Sequence, residues 1–170
     1  MGVLDKIFSL KGNRQFSQDE DLLIEALNNT ENFIADEAFI NFTHTELFAI
    51  DKELKKFIKI EKKEQNTKTN TMPFEAISSY QSLIKDRANE DWLTDFSKWK
   101  TQKKFIRSIS LNIESDSQEN LQLDFILSEN KDGDRVASIP VKRALFSLDK
   151  WDKVLFEILE SKNAIAEEND

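Results

Sequence analysis

At Phe105 the hydrophobic period of this chain changes, and that change constrains the fold more than any other feature. Phe105, Ile109, Leu111 and Ile113 alternate with Ser108, Ser110, Asn112 and Glu114, and Leu121, Leu123, Phe125 and Leu127 alternate with Gln122, Asp124 and Ser128. A period of two sends successive side chains to opposite faces of a strand. Two such runs joined by the polar segment 115–120 read as an antiparallel hairpin with one buried face. Gly133 then turns the chain into a third strand over 135–139, and Pro140 ends the ladder and opens a final helix. In that helix Leu145, Leu148, Trp151, Leu155 and Leu159 form an apolar face.

Upstream the period reads as helical. Ser17 and Glu20 are spaced as a capping box for a helix to about Asn28, with Leu22, Leu23, Ala26 and Leu27 inward. Residues 31–42 are ambiguous between strand and helix, and Phe33, Ile34 and Ile40 fit a helix slightly better. Thr43 and Glu46 suggest a second capping box opening a long helix to about Lys63, with Leu47, Ile50, Leu54, Phe57 and Ile58 in period. Residues 64–71 contain no apolar side chain and read as a linker. Beyond Pro73, Phe74, Ile77, Tyr80, Leu83 and Ile84 suggest another helix, and Asn89 is spaced to cap one carrying Trp92, Phe96 and Trp99.

The expected fold is therefore α+β: N-terminal helices, then a three-stranded antiparallel meander with a C-terminal helix packed on it. The expected organisation is a helical part over 1–63, a polar linker or loop over 64–72, an α+β core over 73–162 and a flexible acidic tail over 163–170. With only three glycines and two prolines, the chain lacks the usual material for many tight turns. Thirteen phenylalanines and three tryptophans supply a core and argue against disorder. There is no cysteine, which removes disulfides and thiol chemistry. The N-terminal apolar run is too short for a secretory signal and no segment reaches the length of a membrane span, so the expected location is cytoplasmic.

Charge is unevenly placed. The chain carries a formal −8, yet residues 15–51 hold nine acids and no lysine or arginine, so the remainder sums to +1. A single-sign segment is either a solvated face or a surface that draws in a basic partner. Asp19, Asp21, Glu25, Asp36 and Glu37 are the candidate partner-binding residues. Its counterweight is the tract from Phe96 to Ser108, with Lys98, Lys100, Lys103, Lys104 and Arg107. Stacking platforms for bases stand on the same exposed face as the cations. Here the aromatic residues share the apolar face of a helix, so the tract reads as scaffold and no nucleic-acid partner is expected.

Catalytic motifs are missing. His44 is the only histidine, and no phosphate loop, Gly-x-Ser-x-Gly or His-Glu-x-x-His pattern occurs. Asp124, Glu129 and Lys131 superficially match the Asp and Glu-x-Lys set of metal-dependent nucleases, but Glu-x-Lys recurs at Glu53 and Glu160 in this charged chain. No catalytic residue, cofactor or metal ligand is assigned.

The leading expectation is a non-enzymatic cytoplasmic protein-binding module, of the acidic inhibitor, immunity or antitoxin type, engaging a basic partner surface. The alternative is a peripheral membrane or assembly component using the amphipathic stripe Val3, Leu4, Ile7 and Phe8. A carboxylate-dependent nuclease is the weakest reading.

Overall fold

The computed structural model describes residues 17–64, 66–86, 91–93, 105–128, 130, 133–135 and 137–167, with side chains left out at 86, 91–93 and 163–167. The chain divides between Ala76 and Ile77 into two units.

The first unit opens with helix α1 (Gln18–Asn28). Ser17 caps it as expected: its hydroxyl accepts the Glu20 N–H, and the Glu20 carboxylate accepts the Ser17 N–H. Four antiparallel strands follow in chain order: β1 (Glu37–Ile40), β2 (Glu46–Asp51), β3 (Lys56–Lys63) and β4 (Asn66–Pro73). Leu23, Ile24 and Leu27 of α1 pack with Ile40, Leu47, Ala49, Ile58 and Ile60 of the sheet. On the other face Phe48, Ile50, Phe57 and Met72 are also buried.

Of the expected N-terminal helices the one to Asn28 is present, whereas the helical preference for 31–42 gives way to β1 and the long helix over 43–63 to β2 and β3. Strands dry on both faces read as apolar blocks with no alternation, and Leu47–Ile50 and Phe57–Ile60 are such blocks, accidentally in helical register. The Thr43–Glu46 pattern is not a capping box. Asn41 organises that corner, its carboxamide oxygen accepting the N–H groups of Thr45 and Glu46 at 2.9 and 3.1 Å. Asp51 closes the next turn, its carboxylate accepting the N–H groups of Ile34 and Leu54. The segment read as a linker is β4, paired with β3 from Lys56↔Pro73 to Lys63↔Asn66. An edge strand gains its place through backbone pairing and buries little, so its Thr- and Asn-rich sequence shows no apolar pattern, and Pro73 costs no ladder bond on the open side.

Among the described residues of this unit the turns are made without glycine. Asn32, His44, Lys55 and Glu64 all hold positive φ, between 51° and 58°. The left-handed region costs a residue with a Cβ about 1–2 kcal/mol. Lys55 is exposed between β2 and β3, so Lys55→Gly should raise stability by up to about 1 kcal/mol once the greater freedom of glycine in the unfolded chain is subtracted. A urea unfolding midpoint that moves down would show that the lysine side chain contributes more than the strain removes.

The second unit begins after a 3-10 turn at Phe74–Ala76. It comprises β5 (Ile77–Asp86), β6 (Asp91–Leu93), β7 (Phe105–Ser115), β8 (Leu121–Leu127), β9 (Asp134–Arg135) and helix α2 (Ile139–Glu167). The sheet runs β6-β5-β7-β8, with β9 also on β7. The hairpin of β7 and β8 is the expected one. The third strand differs: it is two residues long and pairs with Phe105 and Ile106 of β7, not with β8. Gly133 permits this, since φ is +80° and a Cβ there would lie 2.6 Å from the Ile106 carbonyl oxygen. The helix expected beyond Pro73 is β5, and Trp92 lies in a strand, so the helix expected to carry the tryptophans does not begin there; Phe96 and Trp99 lie outside the described residues.

Helix α2 packs across β5, β7 and β8. Val141, Ala144, Leu148, Trp151 and Leu155 are buried on it, with Ile109, Leu111, Ile113, Leu123 and Phe125 on the strands. Polar ties set its register. The Tyr80 hydroxyl donates to the Asp152 carbonyl, the Ser82 hydroxyl to the Asp152 carboxylate, and Lys162 Nζ to the Ile77 carbonyl. Burial, with the Asp152 charge adding to it, pushes the Tyr80 phenol above its ordinary value, so it stays a donor to higher pH than an exposed tyrosine. The helix runs on to Glu167, through most of the segment expected as a flexible tail.

Candidate docking surface

The acidic segment separates into acids used by the fold and acids presented to solvent. Asp19, Glu20 and Asp21 occupy the first turn of α1, where negative charge complements the helix dipole. Asp19 also pairs with Lys62 of β3, Nζ to Oδ1 2.5 Å. Glu20 is fully buried. Asp36 donates its N–H to the Ile50 carbonyl and accepts the Lys52 N–H on its carboxylate. Glu37, half-buried, begins β1 opposite Ile50. Asp21 and Glu25 are exposed, one helical turn apart on α1. Of the five candidate residues, the structure brings these two together on an open helix face, adjoined by Asp19, and places Asp36 and Glu37 on β1 and its approach.

Glu20 takes part in a small polar cluster with the only histidine. His44 Nδ1 lies 3.4 Å from the Ser17 hydroxyl, and its Nε2 lies 3.6 Å from Glu20 Oε1. The residue types are those of a serine hydrolase, but both His44 contacts are long. The Ser17 hydroxyl already accepts the Glu20 N–H, and the Glu20 carboxylate accepts the Ser17 N–H. The cluster braces the start of α1 against the turn between β1 and β2.

A second cluster was not visible in the sequence. Lys59, in the middle of β3, is 5% exposed, and its Nζ lies 2.8 Å from both Glu46 and Glu61. Those two carboxylates face each other across β2 and β3. Burial is the largest single influence on Lys59 and pulls its pKa down, but hydrogen bonds and attraction from both glutamates together hold it above its ordinary value. Glu61 is held below its ordinary value, first by the hydrogen bond from Lys59, against burial, and then by Lys63. The available signal was one lysine flanked by Ile58 and Ile60 in an apolar block, which the helical reading absorbed.

Among the described residues no group of acids and histidine could hold a metal ion. Asp124 of the nuclease-like set is on β8, accepting a bond from Gln122, whereas Glu129 and Lys131 lie outside the described residues. So do Lys98, Lys100, Lys103 and Lys104 of the basic tract, and the N-terminal stripe from Val3 to Phe8. Among the described residues no helix is long and apolar enough to cross a membrane. No protein-family model matches the chain, and no curated protein or solved structure shows significant similarity to it.

Proposed function

We propose that this chain is a non-enzymatic, cytoplasmic protein-binding module that engages a basic surface, in the manner of acidic inhibitors, immunity proteins or antitoxins. The observation that carries the reading is the exposed pair Asp21 and Glu25 on α1, a helix with no cation of its own. Like charges one turn apart repel, and a basic partner relieves that repulsion on binding. Rim charges of this kind act chiefly on the association rate, through a field that salt screens.

The test begins with affinity capture and identification of a partner by mass spectrometry, followed by stopped-flow association at several ionic strengths. Asp21→Lys with Glu25→Lys should slow association about tenfold at low salt and flatten its salt dependence. The helix should lose no more than about 1 kcal/mol from the reversed charge in its first turn. Unchanged kinetics in the folded double variant would leave the acids as solvated surface.

A further inference from the structure

The solvent side of α2 carries a pattern that the packing of its own unit does not use. Lys142, Phe146, Asp149, Lys153, Phe156 and Glu160 are all exposed, and two of them are large apolar rings at 70% and 57% exposure. Their spacing is four, three, four, three, four, which lines them along one stripe of the helix, as at the seam of a coiled coil. The buried residues Val141, Ala144, Leu148, Trp151 and Leu155 follow the same rhythm on the opposite side. The helix therefore has two seams, and among the described residues of its unit none packs on the outer one.

The order of residues in the outer stripe is complementary to its own reverse. Laid antiparallel on a second copy, with the twofold axis at the level of Trp151, Lys142 meets Glu160, Phe146 meets Phe156, and Asp149 meets Lys153. Each pairing occurs twice, because an isologous contact repeats every interaction across the axis. Laid parallel, the same stripe would place Lys142 against Lys142 and Glu160 against Glu160. The stripe is also neutral, two lysines against two acids, in a chain whose formal charge is −8, so two copies approach there with the least mutual repulsion. Asp149 and Lys153 already pair within one helix, 2.8 Å apart, and the twofold would bring two such pairs together at the centre.

We infer that the outer stripe of α2 is a self-association surface, on which a second copy of this chain docks its own α2 antiparallel about a twofold axis. The contact runs about 27 Å along the helix, at 1.5 Å per residue from Lys142 to Glu160. The two phenylalanine pairs form its apolar centres, and the charges select the antiparallel register.

The experiment is sedimentation equilibrium of the full chain, with circular dichroism confirming that each variant is folded. The wild type should show a concentration-dependent dimer. Lys142→Glu alone places glutamate against Glu160 twice, and Glu160→Lys alone places lysine against Lys142 twice. Each should raise the dimer dissociation constant by roughly tenfold or more. An equimolar mixture of the two variants restores Lys–Glu at both positions and should dimerise with wild-type affinity. Phe146→Ser should weaken the dimer, and mixing with either charge variant should not rescue it fully. A wild type that is monomeric at every accessible concentration would overturn the inference, as would a dimer indifferent to these substitutions or a mixture no tighter than its components.

Discussion

Replacing Lys59 by methionine should destabilise the protein by about 3–5 kcal/mol, the cost of removing one partner from a buried ion pair. The lysine stands between Glu46 and Glu61, bonded to each at 2.8 Å, and without it the two carboxylates oppose each other across adjacent strands. Lys63, 3.1 Å from Glu61, would compensate one of them in part. The loss should be mostly recovered in Lys59→Met with Glu46→Gln and Glu61→Gln, because replacing a whole buried charge cluster by neutral groups is often close to neutral. The pH dependence follows from the two shifts. Lys59 is raised above 10.5, so its contribution is complete below that value and is lost as pH rises through the folded pKa. Glu61 is lowered below 4.5, so its contribution is complete above that value and is lost as pH falls through the folded pKa. Urea unfolding across pH should show both limbs in the wild type, and in the triple variant both should shrink, with the Tyr80 phenol keeping part of the alkaline one. A single Lys59→Met variant within 1 kcal/mol of wild type would mean that the cluster adds little to stability.

Truncating the core of the second unit should cost as much. Phe125 on β8 is fully buried and Trp151 on α2 is 2% exposed. Either change to alanine removes a large ring from a packed interior and leaves a cavity, at about 3–5 kcal/mol. Against a total stability on the order of 5–15 kcal/mol, that threatens folding at physiological temperature. Phe125→Leu, which leaves a smaller void, should cost clearly less, and the difference between the two denaturation midpoints reads the cavity term directly. Equal midpoints for the alanine and leucine variants would show that the site collapses around either side chain.

The part of the molecule legible in the sequence was the part with one wet face. In β7 and β8, Ile109, Leu111, Ile113, Leu121 and Leu123 alternate with polar residues because one side of the hairpin is buried by α2 and the other is more open. The same logic exposed the inward seam of α2 through Leu148, Trp151 and Leu155, and the cap of α1 through Ser17 and Glu20, whose reciprocal bonds are local. Such features need only neighbours in the chain, and the period of the residues reports them.

The first sheet depended on its tertiary surroundings. Burial on both faces erased the alternation of Leu47–Ile50 and Phe57–Ile60, and pairing at an edge made the wholly polar 66–71 a strand. Its turns run through His44, Lys55 and Glu64 in the left-handed region, where glycine would have signalled a hairpin. The turn at Lys55 is held by the Asp51 carboxylate, which accepts the Leu54 N–H within the turn and the Ile34 N–H from 17 residues upstream. The concentration of charge in the acidic segment is plain in the sequence, but only the fold decided which charges remain available. Asp19, Glu20, Asp36, Glu46 and Asp51 became partners of lysines, His44 or backbone N–H groups, and Asp21 and Glu25 stayed in water. Residue type and local period determined where charge and apolar surface lie along this chain; which of them face water was decided by pairings between residues far apart in sequence, because burial and ion pairing depend on distance in space.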